Sequence, residues 1–574
     1  MGRGEPPPAG VLDHLKQALA HRGPDGAASR TVGNLGLVHT RLAIIDLATG
    51  DQPLADKAGN VLIANGEIYN YVEMRREIGE KRFRTHSDCE VPLLLMADDA
   101  TDFTRPLRGM YAIASATPGA RIAFLARDPF GIKPLYVHEG TRGLAFASEP
   151  RAFFEAGLLK PVLSPRARDE LLQLQFTTGA ETIFEGVRRV LPGERLTLEG
   201  GRIIARDRII ALSDLGPEQW SEEEALARLD SALMESVEMH QRADVPYGMF
   251  LSGGVDSSVV LACMRALNER PVEAFTVGFA GTGVADERAH AERVAKAAGA
   301  NFHAVEFTEG DFWRLAPRVA DALDDPTADY AVLPTYMLGA FVREHGLKVV
   351  LSGEGGDELF AGYGRYRRAL RPRWLGGRAM RSKGALDGAR VLRSPLKGWR
   401  DGIARAETEA HSGRRTALQA AQAADCADWL PHDLLLKLDR CLMAHGVEGR
   451  TPLLDPAVSA VAMALPDKLK IRGGQGKYLL RRWLDAHLPE AEPFTPKRGF
   501  TVPIADWIGR RGREIGALVA KQESIREICV PERVIELFER RPGQAAWHLL
   551  FYALWHKRHI ERAPLEGDAF DSLA

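Results

Sequence analysis

246-PYGMFLSGGVDSSVVLACM-264 runs from an apolar strand, through a turn holding two glycines, into an apolar helix. Adjacent glycines let a backbone approach a ligand closely. The first turn of the following helix offers an anion N–H groups that have no intrahelical partner. The hydroxyls of Ser252, Ser257 and Ser258 add donors. The Gly-Lys-Ser/Thr ending of a Walker loop is missing, so this is another kind of phosphate-binding turn. A serine-capped structural turn explains a short glycine motif. It explains less well the whole run Ser252-Gly253-Gly254-Val255-Asp256-Ser257-Ser258 between a strand and a helix.

Outward from this loop, strand and helix alternate. Residues 222–241 read as a helix, 246–251 as a strand, 257–268 as a helix, 273–279 as a strand and 286–299 as a helix. The helical 331–345 is followed by the strand 347-LKVVLS-352. Buried strands feeding helices predict a parallel sheet wrapped by helices. That second strand runs into the acidic turn Ser352-Gly353-Glu354-Gly355-Gly356-Asp357-Glu358, at the end of a parallel strand where open α/β sheets bind ligands. Read alone it is a solvated acidic turn; beside the first loop it is a second half of one site. Further on come 437-KLDRCLMAHGVEGRTPLLD-455, 473-GGQGKYLLRR-482 and 497-KRGF-500, whose cations suit phosphates or developing negative charge.

From about 31 to 205 the rhythm differs. Candidate strands 35–45, 61–66, 121–128, 134–139 and 143–148 are broken by turns, with helices near 71–80 and 88–98. This fits an antiparallel assembly with helices packed on it. The predicted organisation is a domain over 1–205, a linker over 206–220 and a second domain over 221–560. The Arg-rich stretch 365–415 has little pattern and reads as an exposed excursion with helices.

The chain of 574 residues is too long for one core. Its 75 Lys+Arg against 77 Asp+Glu give no general drive towards nucleic acid or a membrane. No run of ~18 apolar residues appears, and the start MGRGEPPPAG lacks the apolar core of a secretory signal. Pro6 breaks the myristoylation pattern that Gly2 invites. Five widely spaced cysteines form no metal-site spacing and point to a reducing cytoplasm.

SGGxDSS resembles the PP-loop of ATP pyrophosphatases. With 21-HRGPDG-26, 41-RLAIIDLATGDQP-53, 65-NGEIYNY-71, 87-SDCE-90 and 127-RDPFGIKPLY-136, the chain from about His21 to Phe500 resembles the glutamine-hydrolysing asparagine synthetases, a class II amidotransferase family. The resemblance implies an αββα Ntn-type amidotransferase-like domain joined to an α/β ATP-pyrophosphatase domain. It implies adenylation of aspartate by ATP with Mg²⁺, release of pyrophosphate and attack by ammonia to give asparagine. By resemblance, Leu251, Ser252, Gly253, Gly254, Asp256, Ser257, Ser258, Val277, Ser352, Gly353 and Asp357 hold the nucleotide, and Asp256 and Asp357 the metal. Glu354 is then the base for ammonia, and Lys477 stabilises phosphate charge. Arg41, Asn65, Gly66, Glu67 and Asp88 match the glutamine pocket. The implied partners are small molecules, namely aspartate or another carboxylate with glutamine or ammonia, and the resemblance allows a homodimer.

The departures matter. Family members begin Met-Cys-Gly, and the N-terminal thiol attacks glutamine with its own α-amine as base; here position 2 is Gly2 and the first cysteine is Cys89. Glutamine hydrolysis is therefore expected to be impaired or absent in this chain. A missing first strand is the favoured explanation over true loss, because the glutamine pocket is not eroded. Leu442, Gly446 and Gly449 replace residues more usual in the family and are expected near the acceptor. They leave a second reading open: an amide ligase for a peptide or natural-product carboxylate, of the β-lactam synthetase kind. Against that stands Glu354, where that branch tends to carry tyrosine. Two further readings are a non-catalytic sensor and a tRNA-modifying PP-loop enzyme. The charged set Asp256, Glu354, Asp357 and Lys477 weighs against the sensor, and the neutral charge balance against the tRNA enzyme.

Overall fold

The computed structural model describes residues 1–279, 288–371, 373–375, 377–495 and 502–574. The KRGF motif at 497–500 lies outside them.

The first 208 residues build three sheets. Strands β1 (Gly26–Val32) and β2 (Leu35–Arg41) form an antiparallel pair. The large sheet is made of β3 (Leu54–Ala55), β4 (Val61–Ile68), β5 (Gly109–Ala116), β6 (Ile122–Arg127), β10 (Glu194–Glu199) and β11 (Arg202–Arg208), in the order β11-β10-β6-β5-β4-β3. A smaller one, ordered β8-β7-β9, is made of β7 (Tyr136–Gly140), β8 (Gly143–Ala147) and β9 (Arg188–Arg189). Leu35, Leu37, Ile63, Ala114, Leu125, Val137 and Leu196 form the core between the sheets. The other face of the large sheet, through Leu62, Ile68, Ile113 and Phe124, packs on the helices Tyr71–Ile78 and Glu90–Asp98. Covered on both faces, β5 is buried along nearly its whole length. It shows no alternation of apolar and polar residues, and sequence reading misses it.

The second part is built on a five-stranded parallel sheet of β12 (Tyr247–Phe250), β13 (Glu273–Gly278), β14 (Asn301–Glu306), β15 (Val349–Leu351) and β16 (Glu448–Arg450). The order β14-β13-β12-β15-β16 reverses direction between β12 and β15. In register, Met249 lies opposite both Ala274 and Leu351, so the loops that leave β12 and β15 emerge side by side. This is the switch point at which open α/β sheets carry ligands. The helix Glu222–His240 leads in, with Ser221 accepting from the Glu224 N–H and three glutamates in its first turn. Helix Gln544–His559, with Trp547 and Trp555 buried, anchors the C-terminal core.

The stretch 365–415 is less exposed than its composition predicts. Met380, Leu386, Val391, Ile403 and Ala406 are buried in the cores, and the helix Asp401–Ala410 packs against the helix Ala417–Ala427. Its arginines mask these scattered apolar residues in a linear reading.

Candidate functional site

The loop after β12 is tied by its own hydroxyls. Ser257 Oγ lies 3.1 Å from Ser252 Oγ, accepts from the Ser252 N–H at 3.2 Å and donates to the Gly254 carbonyl at 3.2 Å. Ser252 Oγ accepts from the Gly254 N–H at 3.3 Å. Gly253 has φ +73°, left-handed backbone that a side chain resists. The helix Val255–Leu267 begins directly after, with Asp256 in its first turn. Ser258 is fully enclosed and its hydroxyl has no hydrogen-bond partner, unlike Ser252 and Ser257. Leu251 and Val277 are buried at the strand ends.

The acidic loop after β15 lies directly on this turn. A Cβ at Gly353 would stand 2.8 Å from the Ser257 nitrogen and 2.9 Å from the Asp256 carbonyl carbon. One at Gly356 would collide with the Asp256 carboxylate. These glycines are the condition for the two loops to touch. Ser352 is buried and its N–H donates to the Arg450 carbonyl at 2.8 Å. Lys477 joins the loops: its Nζ is 2.5 Å from Asp256 Oδ2 and 2.6 Å from Asp357 Oδ1. Burial by itself would lower the Lys477 pKa, but the two carboxylates outweigh it and hold the ammonium charged. Its left-handed φ of +59° sets it just ahead of the helix Tyr478–His487.

Two convergent carboxylates without sulfur or imidazole are a hard-cation donor set. Among the described residues no three His, Cys, Asp or Glu side chains gather to hold a metal alone. A cation there would need phosphate oxygens as further ligands, as Mg²⁺ commonly does, so the donor set fits Mg²⁺ that arrives with a nucleotide.

Glu354 is held above the ordinary carboxylate range, chiefly by burial. Lys437 opposes that, while Asp329, Asp357 and Asp256 add to it. Lys437 itself is paired with Asp329 at 2.8 Å. Asp433 accepts from Gln175 Nε2 at 2.8 Å and from the Thr327 hydroxyl. It sits in a π-helical turn, Leu430–Leu434, that runs into the helix Leu435–Met443 carrying Lys437. Asp329 and Asp433 escaped the sequence reading, because single acids outside a motif read as surface charge, whereas Glu358 lay within the acidic turn without an assigned role. Lys437 fell inside a quoted motif but had no assigned role.

Leu442, Gly446 and Gly449 are not on this side. Leu442 is in a hydrophobic cluster with Phe275, Val350 and Leu438. Gly449 packs against Leu442 and Leu438, and Gly446 faces Pro24 and Leu42 of the first part.

The second site is a cavity of about 810 Å³, lined among others by Arg41, Asn65, Gly66, Glu67, Asp88 and Cys89. Arg41 donates to Asp51 at 2.8 Å and to the Asp46 carbonyl at 2.5 Å. Asn65 Nδ2 is buried without a partner. Burial pushes Asp88 up to about 6, even though it accepts from the Ile68 N–H at 2.7 Å. Glu67 is raised well above its usual value, first by burial and then by Asp88, although Arg450 lies 3.5 Å away. Cys89 Sγ is 3.7 Å from Asp88 Oδ2. Burial and the neighbouring acids push its thiol far up, away from a reactive thiolate.

The two parts meet through buried ions. Arg22 donates to Asp439 at 2.8 and 3.0 Å and to Glu149 at 3.0 Å. Arg440 lies 2.6 Å from Glu149 and 3.0 Å from Asp324, and Lys133 reaches Glu448 at 3.4 Å. Glu448 in turn holds Arg450 at 3.0 Å.

The asparagine synthase family model matches residues 228–557, and the glutamine amidotransferase domain model matches residues 3–207. Asparagine synthetase [glutamine-hydrolyzing] 1 of Bacillus subtilis is 30% identical over 96% of this chain and 94% of its own length. A putative asparagine synthetase [glutamine-hydrolyzing] of Mycobacterium bovis is 32% identical over 97% of this chain and 94% of its own. Amidase chyE of Penicillium rubens is 29% identical over 89% and 87%. With the α/β and sandwich folds described, these matches define an amide-forming carbon–nitrogen ligase that carries an amidotransferase domain. The chain belongs to the asparagine synthase family.

Proposed function

We propose that the switch-point site adenylates a carboxylate, aspartate in the first instance, with ATP and Mg²⁺, and that ammonia then displaces AMP to give the amide. The observation that carries this is Lys477 bridging Asp256 and Asp357 across two loops that touch only because Gly353 and Gly356 lack side chains. The N–H groups and hydroxyls of Ser252 to Ser257 receive the pyrophosphate. Leu251, Val277, Ser352 and Gly353 frame the nucleotide. Asp256 and Asp357 would hold Mg²⁺, which when bound offsets phosphate charge. Lys477 stays protonated and stabilises negative charge as pyrophosphate leaves. Glu354 takes the proton from the attacking nitrogen, a role that suits a carboxylate whose basicity burial has increased.

Arg41, Asn65, Gly66, Glu67 and Asp88 form a glutamine pocket in this reading. Glutamine hydrolysis is impaired, because Cys89, the thiol beside that pocket, is far from thiolate. Five free, buried cysteines suit a reducing cytoplasm. No helix among the described residues is long and apolar enough to cross a membrane. Amidase chyE, a relative of different name, favours a second reading in which the acceptor is another carboxylate.

The test is pyrophosphate release by the purified chain with ATP and Mg²⁺, with and without aspartate, and with ammonium or glutamine. Aspartate-dependent pyrophosphate and asparagine with ammonium are expected, with little or none from glutamine. No stimulation by aspartate with either donor would move the reading to other acids.

A further inference from the structure

A second cavity, of about 540 Å³, opens beside the acidic loop and takes up the front of the Arg-rich stretch. Four cations line it, Arg365, Arg368, Arg381 and Lys383, and no lining residue is a carboxylate. That is a strong local excess in a chain whose formal net charge is −2. Arg365 has an acid, Asp425, at 2.8 Å. Arg381 is only 3.9 Å from the same Asp425, lies 3.6 Å over the Trp429 ring, and keeps Nε and one terminal nitrogen buried without a hydrogen-bond partner. A desolvated guanidinium with unused donors is costly unless an anion completes it. Arg368 and Lys383 are exposed at the rim.

The cavity is coupled to the chemistry on two sides. Tyr363 lines it and donates to Glu358 of the acidic loop at 2.7 Å. Gln175 also lines it, and donates to Asp433 at 2.8 Å, one helical turn from the Lys437 that meets Asp329. Its volume falls in the range of ~300–1,000 Å³ typical of sites for drug-sized ligands, more than one aspartate needs.

We propose that this cavity holds the non-reacting end of the acceptor, and that the acceptor is a peptide-sized acid with a second anionic group bound by Arg381, Arg368 and Lys383. The assignment rests on the adenylation reading above and narrows its acceptor. Arg365, held by Asp425 from behind the lining, forms the back wall, and Arg381 supplies the charged donors.

The experiment uses the full chain with aspartate and with aspartyl-glutamate and aspartyl-glutamine, both dipeptides capped as C-terminal amides, so that the two differ only in whether they carry a remote carboxylate. Calorimetry gives binding, and acceptor-dependent ATP–pyrophosphate exchange gives adenylation. Wild type is expected to bind aspartyl-glutamate at least tenfold more tightly than aspartyl-glutamine and to favour it in exchange. The double variant Arg368→Gln/Lys383→Gln, both positions exposed, should bring that ratio close to one. Arg381→Lys should keep part of the preference and Arg381→Gln should lose it. Equal binding of the two dipeptides by wild type, or an unchanged ratio in the double variant, overturns the proposal. Exchange with aspartate but neither dipeptide overturns it too, yet leaves the adenylation reading standing. Silence in exchange with all three acids defeats the adenylation reading and the acceptor assignment together.

Discussion

Glu354 and Glu358 stand four residues apart, in the loop that leaves β15 and the short helix Gly356–Leu359 that follows it, and burial raises both. For Glu354 the consequence is basicity. Glu354→Gln should lower amide formation by about 10²–10⁴-fold, the usual scale for a positioned base. Acceptor-dependent pyrophosphate exchange should change little. Loss of both activities together in the exchange and amide assays would show a structural rather than a proton-transfer role. For Glu358 the consequence is stability. Its carboxyl is pushed up to about 8, first by burial and then by Asp357, while the unfolded chain ionises near 4.5. A raised folded value means that the native state binds the proton more tightly. The contribution is full below about 4.5 and is lost as pH rises to about 8. Glu358→Gln keeps an acceptor for the Tyr363 hydroxyl and removes the titration. Thermal unfolding should therefore fall less between pH 6 and 8.5 in the variant, with a gain on the order of 1 kcal/mol or more at the upper end. Parallel pH profiles for the two proteins would contradict this.

At the level of elements, the parallel strands β12, β13 and β15 and the loops that leave β12 and β15 were legible because their signals are local, whereas β14 and β16 were not read. A Gly-Gly-x-Asp-Ser-Ser turn and an acidic turn each follow an apolar run. The tie between them, Lys477 on a left-handed residue more than a hundred positions further on, was legible only by resemblance. Strand β5 and the folded part of 365–415 were not, since one lacks alternation and the other hides its apolar residues among arginines. Asp329 and Asp433 matter only through what they face across the fold, which no spacing records. The contact between loops is itself testable. Gly353→Ala puts a methyl against Ser257 N and the Asp256 carbonyl. It should cost roughly 1–3 kcal/mol of overpacking, or push the loops apart and raise the KM for ATP. An unchanged KM for ATP together with unchanged denaturant unfolding would show that the loops do not meet this closely.

Across the whole molecule, the cavity of the first part and the switch-point site are joined by the same buried charges. Lys437, Asp439 and Arg440 sit on one helix, and face Asp329, then Arg22 and Lys133, then Glu149 and Asp324. Removing one partner of a buried pair leaves a stranded charge, so Arg22→Met should cost about 3–5 kcal/mol in denaturant unfolding. A loss under ~1 kcal/mol would place Arg22 among weak surface pairs. The division of labour between the halves predicts that ammonium, not glutamine, supplies nitrogen. Burial keeps Cys89 protonated, and Cys89→Ala should leave ammonium-dependent turnover within about twofold, the scale of an uninvolved side chain. The most direct test of the account is to measure pyrophosphate release from ATP by the purified chain, with and without a carboxylate acceptor, in wild type and Lys477→Met. Release should depend on the acid and fall by at least about 10²-fold when the bridging ammonium is removed. Release that ignores the acid, or that survives the loss of Lys477, would contradict it.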